Sequence, residues 1–148
     1  MITYLKRFLL GLCLVIPAMA APVITEFQAS NSTTLSDEDG DRSDWIEIFN
    51  PDTTAVDLGG WSLTDAAVFP TKWSFPAGTM LGASEFLVVF ASDKNRAVAG
   101  SEFHTNFKLS SLGEYLALVA ADGVTVVDSY EPSFPVQFED ASFGLQQL

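Results

Sequence analysis

The chain has 148 residues, 48% of them hydrophobic and 18% charged, and its 19 acids against 7 bases give a formal net charge of −12 at pH 7. That is length enough for one domain with a core of its own. It excludes a nucleic-acid partner, because phosphate binding draws its affinity from Lys and Arg displacing counterions and so acidic a chain repels a polyanion; divalent cations, basic proteins and neutral polymers stay open.

Lys6 and Arg7 precede an apolar run from Phe8 to Ile16, and Pro17-Ala18-Met19-Ala20 follows with small residues on both sides of Met19. This is the pattern of a cleavable signal peptide helix over residues 1–20, cut after Ala20 at an Ala-x-Ala site. The run falls short of the about 20 apolar residues that span a bilayer, so no transmembrane segment is expected after cleavage. The mature chain is therefore expected to be secreted, either extracellular or periplasmic. Cys13, the only cysteine, is an apolar residue of this run, and Leu12 before it is too bulky for a lipid-attachment signal. Cleavage leaves 128 residues with 5 bases, 19 acids, a net charge of −14 and no cysteine. Such a domain must be held together by burial alone.

In residues 21–148, period-two patterning broken by turn residues recurs about every 8 to 12 positions, and no long stretch has a 3.6-residue apolar period. Val23, Thr25 and Phe27 alternate with Ile24, Glu26 and Gln28 in a first strand. An acidic loop, Ser36-Asp37-Glu38-Asp39-Gly40-Asp41-Arg42-Ser43-Asp44, follows. Ile46 and Ile48 then make an inward face with Glu47 on the other side. Asn50-Pro51-Asp52 reads as a turn, since proline presets φ and the flanking side chains can bond nearby backbone. Ala55 to Leu58 reads as a short strand. After the Gly59-Gly60 break, Trp61 and Leu63 are expected to point inward while Ser62 and Thr64 face away. Phe86 to Ala91 is apolar throughout, which predicts a central strand covered on both faces. Tyr115 to Ala120 and Val124 to Ser129 flank Ala121-Asp122-Gly123, a hairpin whose Asp-Gly step tolerates positive φ. About seven to nine short strands at this spacing predict an all-β, two-sheet sandwich forming one domain.

Several of these stretches carry a family likeness. Asp44-Trp45-Ile46-Glu47-Ile48-Phe49-Asn50, answered by Val56-Asp57-Leu58-Gly59-Gly60-Trp61-Ser62-Leu63-Thr64-Asp65, together with Trp73-Ser74-Phe75-Pro76-Ala77-Gly78-Thr79 and His104-Thr105-Asn106-Phe107-Lys108-Leu109-Ser110, resembles the lamin tail domain. That family is an immunoglobulin-like sandwich also found in secreted bacterial proteins. The resemblance runs in order from Ile24-Thr25-Glu26-Phe27 to Asp140-Ala141-Ser142-Phe143-Gly144. Similar domains continue with an arginine and a Gly- and Pro-rich tail, whereas this chain reads Leu145-Gln146-Gln147-Leu148. The expected domain is therefore residues 21–148, either truncated at its C-terminal edge or a piece of a longer protein. The resemblance implies a noncatalytic binding or adhesion module that accompanies other exported domains or cell-envelope proteins, with a protein or an extracellular polymer as partner. The chromatin role of the nuclear versions is not carried over, given the leader and the charge.

The acidic loop places five acids in nine residues. Calcium wants six to eight oxygens, and Asp37, Asp39 and Asp41, with Asp44, could supply several from one tight loop. It is not an EF-hand: Gly40 stands fourth from Asp37, and Ile48 occupies the place of the bidentate Glu. A calcium-stabilised structural module is the alternative this implies; the other reading is a solvated turn with Gly40 at positive φ. Asp44 has a structural role open to it as well, holding loop amides at the mouth of the second strand. His104 is the only histidine, so zinc and Cys-His chemistry cannot be assembled, and no Gly-x-Ser-x-Gly elbow presents a serine. A small secreted hydrolase would have to be built around His104 or a carboxylate pair, which nineteen acids supply by accident. Among the aromatics, Trp61 reads as core. Trp45 shares its parity with Glu47 and Phe49, a mixed aromatic and charged face, and Trp73 lies near a turn at a sheet edge. Trp45, Phe49 and Trp73 are thus the candidate binding residues.

Overall fold

The computed structural model describes residues 20–145. Residues 1–19, on which the expected leader and its cleavage fall, and residues 146–148, on which the C-terminal reading bears, lie outside the described residues.

The described chain is all-β, without helix: β1 Val23–Gln28, β2 Asp44–Phe49, β3 Val56–Asp57, β4 Ser62–Thr64, β5 Trp73–Ser74, β6 Met80–Leu81, β7 Phe86–Ala91, β8 Phe103–His104, β9 Leu116–Val119, β10 Val126–Tyr130 and β11 Phe143–Gly144. A five-stranded sheet in the order β11-β1-β2-β7-β8 faces a four-stranded sheet in the order β10-β9-β4-β5, and β3 and β6 form a separate ribbon. All pairings are antiparallel except β7 with β8. Ile24, Phe27, Ile46, Ile48 and Val89 from the first sheet pack with Leu63, Trp73, Leu116 and Leu118 from the second in one core. This is the expected sandwich, with several strands reduced to two residues.

The inward face of Ile46 and Ile48 is as the alternation predicts, both being fully buried. The first strand departs from strict alternation. Ile24 and Phe27, three apart, are both fully buried because a bulge between Ile24 and Glu26 lets the strand change phase. β11 pairs with β1 only at Glu26 and Phe27. The open start of β1 is closed from the other sheet: Asp128 Oδ2 accepts the Ile24 N–H at 2.7 Å, and the Tyr130 hydroxyl donates to the Ile24 carbonyl at 3.2 Å.

Two expectations need correction here. Ser62 and Thr64 do not face solvent; both are buried, Ser62 by sharing a hydrogen bond with Ser74 Oγ at 2.8 Å and Thr64 by donating to the Ala66 and Phe69 carbonyls of the loop that folds back over it. β7 is not covered on both faces either: Phe86 is 46% exposed. In the β9–β10 connection only Gly123 takes positive φ; Asp122 instead accepts the Val124 and Thr125 N–H groups with its carboxylate at 3.0 and 2.8 Å.

Candidate functional site: an aromatic sheet face beside the acidic loop

In an antiparallel ladder, residues directly opposite each other share a face. The β1–β2–β7 register therefore sorts the outer face of the five-stranded sheet into rows: Gln28, Trp45 and Phe90; then Glu26, Glu47 and Val88; then Val23, Phe49 and Phe86. β8 extends the first row with His104, which pairs with Phe90. A row of carboxylates thus runs between two rows of rings.

Phe49 and Phe86 stack with centroids 4.5 Å apart and planes at 27°. Trp45 is fixed by its indole N–H, which donates to Gln28 Oε1 at 2.8 Å. Glu47 accepts the Thr25 hydroxyl at 2.7 Å, and Glu26 accepts the Ser142 hydroxyl. Trp45, Glu47, Phe49, Glu26 and Val88 are all half-buried, so the part of this face from Trp45 to Phe86 is open to a partner, while Gln28, Phe90 and His104 in the first row are buried. Toward β8 it runs into a groove of about 440 Å³ lined by Leu35, Val88, Phe90, Gly100 and Glu102.

Trp45 and Phe49 are thereby brought together, while Trp73 is not. β5 is a sheet edge, as expected, but the Trp73 ring points into the sandwich, 3% exposed, edge-on to Phe75 at 4.9 Å and Phe103 at 6.1 Å. It fills core and cannot meet a ligand.

The acidic loop closes the His104 end of the face. Gly40 sits at φ 84° as the turn requires. Asp37 is buried, and its Oδ1 accepts the N–H groups of Asp39 and Asp41 at 3.1 and 2.9 Å, which winds the loop around its carboxylate. The Lys94 ammonium then lies 2.6, 2.8 and 2.9 Å from Asp37, Asp39 and Asp41, and Arg96 pairs with Glu38 and, at 2.8 Å, with Asp39. A cation does occupy the cage of carboxylates, and it is the protein's own. Asp37, Asp39 and His104 have ligand atoms within 4.8 Å of one another, but an imidazole nitrogen suits calcium poorly. Asp44 stands outside this trio. It starts β2 on the inward phase opposite Ala91, half-buried and away from Lys94. Burial pushes its carboxyl up.

His104 does meet a hydroxyl and an acid. Its Nδ1 is 2.9 Å from Ser92 Oγ and 4.0 Å from Asp37 Oδ2. Both partners address the same ring nitrogen, whereas a proton relay from serine to acid uses the two nitrogens separately. The ring is fully buried, flat against Phe90 at 5.4 Å, and its Nε2 has no partner among the described residues. Burial, then the fields of Arg96 and Lys94, hold it neutral by pulling its basicity down.

The loop carboxyls set an acid limit on stability. Hydrogen bonds from Lys94 and Arg96 lower Asp39 to about 2; burial pushes Asp37 up, but Lys94 and the loop amides bring it net below the usual carboxylate range. Thr33 and Ser32 hold Asp140 low too. Depressed carboxyls contribute stability that is present above their unfolded values, about 3.9, and lost as pH falls toward the folded ones. His104, lowered from its unfolded value of about 6.5, also loses stability as pH falls, but in the window below that value, whereas Asp44, raised by burial, acts in the opposite direction. The thermal midpoint is expected to fall steeply between about pH 4 and pH 2, and Lys94→Met is expected to flatten that fall. Parallel curves for the two proteins would contradict it.

Sequence reasoning missed Glu26, Phe86 and Phe90 as members of the face, and Lys94 and Arg96 as the cations of the loop. The alternation within Phe86–Ala91 was a usable signal once β7 is paired with β2; the two cations had none, being separated from their acids by more than 50 residues.

Among the described residues no helix is long and apolar enough to cross a membrane. The family model that describes the Lamin Tail Domain matches residues 17–133. No curated protein matches the chain.

Proposed function

The chain belongs to the lamin tail domain family, and we propose that it serves outside the cell, or in the periplasm, as a noncatalytic module that binds a protein through the outer face of its five-stranded sheet. The carrying observation is that face: Trp45, Phe49 and Phe86 stand on it, with Phe86 46% exposed, although the domain has no disulfide to relieve it of using large residues as core. Monomeric domains leave few such rings together in the open unless something covers them. Membership supports the reading, since immunoglobulin-like domains of this family commonly mediate protein interactions. The buried His104, with hydroxyl and acid on one nitrogen, supports a noncatalytic role. Export rests on the leader pattern of residues 1–20.

Expression of the full chain in its own cell, followed by fractionation, tests both parts. Exported protein is expected to begin at Ala21 by mass spectrometry and to sediment with the envelope or the extracellular matrix. Phe49→Ser with Phe86→Ser is expected to lower that retention about fivefold, the scale of 1 kcal/mol at an interface, while the purified variant still melts cooperatively. Undiminished retention would show that this face is not the binding surface.

A further inference from the structure

We infer that the partner presents a basic segment, and that an arginine or lysine side chain seats over Glu26 and Glu47 between the two aromatic rows. This inference rests on the binding face proposed above and gives it a partner chemistry.

The fold matches some of its acids with its own bases and leaves others unmatched. The acidic loop is answered internally, Asp37, Glu38, Asp39 and Asp41 by Lys94 and Arg96, and Asp65 is answered by Lys72 at 2.6 Å. Glu26 and Glu47 are directly opposite each other on neighbouring strands, an arrangement in which like charges repel. Among the described residues, no basic side chain forms an ion pair with either of them. Each accepts one hydroxyl, from Ser142 and Thr25 respectively. An ionised carboxylate offers about four lone-pair sites, so most of the pair's acceptor capacity is unspent.

The neighbours narrow the chemistry further. Side chains two apart on a strand are about 7 Å apart along it, so Trp45 and Phe49 flank Glu47 on the same face, and the Phe49–Phe86 stack extends that wall toward β7. Carboxylates between ring faces match a guanidinium or an ammonium: the charge meets the acids while the flat group and its methylenes lie on the rings. A neutral polymer could use the rings but would leave the glutamate repulsion unrelieved. The net charge of −12 draws a basic partner in and turns an acidic one away.

The test uses the purified protein and two peptides, acetyl-Gly-Arg-Ala-Arg-Gly-amide and the same peptide with citrulline for arginine, titrated while the Trp45 indole N–H resonance is followed. The arginine peptide is expected to shift that resonance saturably, and the citrulline peptide to bind about tenfold more weakly or worse. Glu26→Gln with Glu47→Gln is expected to weaken the arginine peptide about tenfold. Asp122→Asn with Glu131→Gln, which removes the same charge from exposed positions beside β9 and β10 of the opposite sheet, is expected to change it by less than about twofold, as screened distant charges do. Thermal melts confirm that both variants fold. Equal losses in the two double variants would mean bulk attraction and overturn the inference, as would equal binding of the citrulline peptide. If cellohexaose shifts Trp45 and the arginine peptide does not, the basic partner is wrong while the binding face stands. If neither ligand binds and Phe49→Ser with Phe86→Ser leaves retention intact, the face itself falls with it.

Discussion

Phe27→Ala is expected to lower the folding free energy by about 3–5 kcal/mol, the range for truncating a fully enclosed aromatic ring. Phe27 has no exposed surface, and its ring lies 5.0 Å from Tyr130, 4.6 Å from Phe134 and 5.6 Å from Phe143. It thus joins β1 to β10, to the segment after β10 and to β11, which are distant in sequence. The phase change at the β1 bulge is what delivers the ring there. With no cysteine after Cys13, no disulfide can hold those segments when the ring is gone. A domain of this size has about 5–15 kcal/mol in total, so the variant loses roughly a fifth or more of its margin. Urea unfolding measures it, with Phe138→Ala as control; that ring is 76% exposed and its removal should cost less than about 0.5 kcal/mol. A loss below about 1 kcal/mol for Phe27→Ala would show that the four segments do not depend on this ring.

Asn50→Leu is expected to destabilise by about 3 kcal/mol, through orphaned backbone rather than lost volume. Asn50 is fully buried, and its amide group donates to the carbonyls of Thr54 at 2.8 Å, Leu81 at 3.2 Å and Gly82 at 2.9 Å, while its Oδ1 accepts the Asp52 N–H at 3.1 Å. One side chain therefore closes the turn after β2 and ties it to the end of β6. Leucine fills nearly the same space and satisfies none of those groups, each of which costs about 1–3 kcal/mol when buried without a partner. Asn50→Asp should be no better, because an acceptor would face acceptors. Thermal denaturation gives the magnitude, and hydrogen exchange should show faster opening at the Leu58 amide, which bonds Thr79 across the β3–β6 ribbon. Unchanged exchange there would mean that the turn and the ribbon are independent of Asn50.

These two residues divide what could be read from what could not. The Asn50-Pro51-Asp52 turn and its side chain to backbone bond at Asp52 are local, and the residue types announce them. The bonds to Leu81 and Gly82, 31 and 32 residues away, are not announced by anything nearby. Ile46 and Ile48 face inward as their period-two spacing says, whereas Phe27 reaches the core only by way of a bulge that no pattern in Val23–Gln28 marks. Trp61, read as core, does pack against it, half-buried. Trp73, placed correctly at an edge strand, is buried all the same, because an edge strand still turns one of its faces to the opposing sheet.

The candidate site shows the same division. The parity of Trp45, Glu47 and Phe49 marked a mixed aromatic and acidic face within β2. Its width, however, comes from β1 and β7, and only the register sets Glu26 against Glu47 and Phe86 against Phe49. Asp37, Asp39 and Asp41 were visible as a cluster that wants a cation. That the cation is Lys94, 57 residues from Asp37, depended on how the β7–β8 connection folds back over the loop.

By itself the sequence determined the all-β class, the inward stripe of β2, the turn chemistry and the family, because each rests on spacing or on the conformational limits of single residues. Tertiary structure alone decided which charges find partners and which rings stay in the open. Those outcomes belong to pairs of strands, and a strand's neighbour is chosen by the burial of the whole sandwich rather than by the residues beside it in the chain.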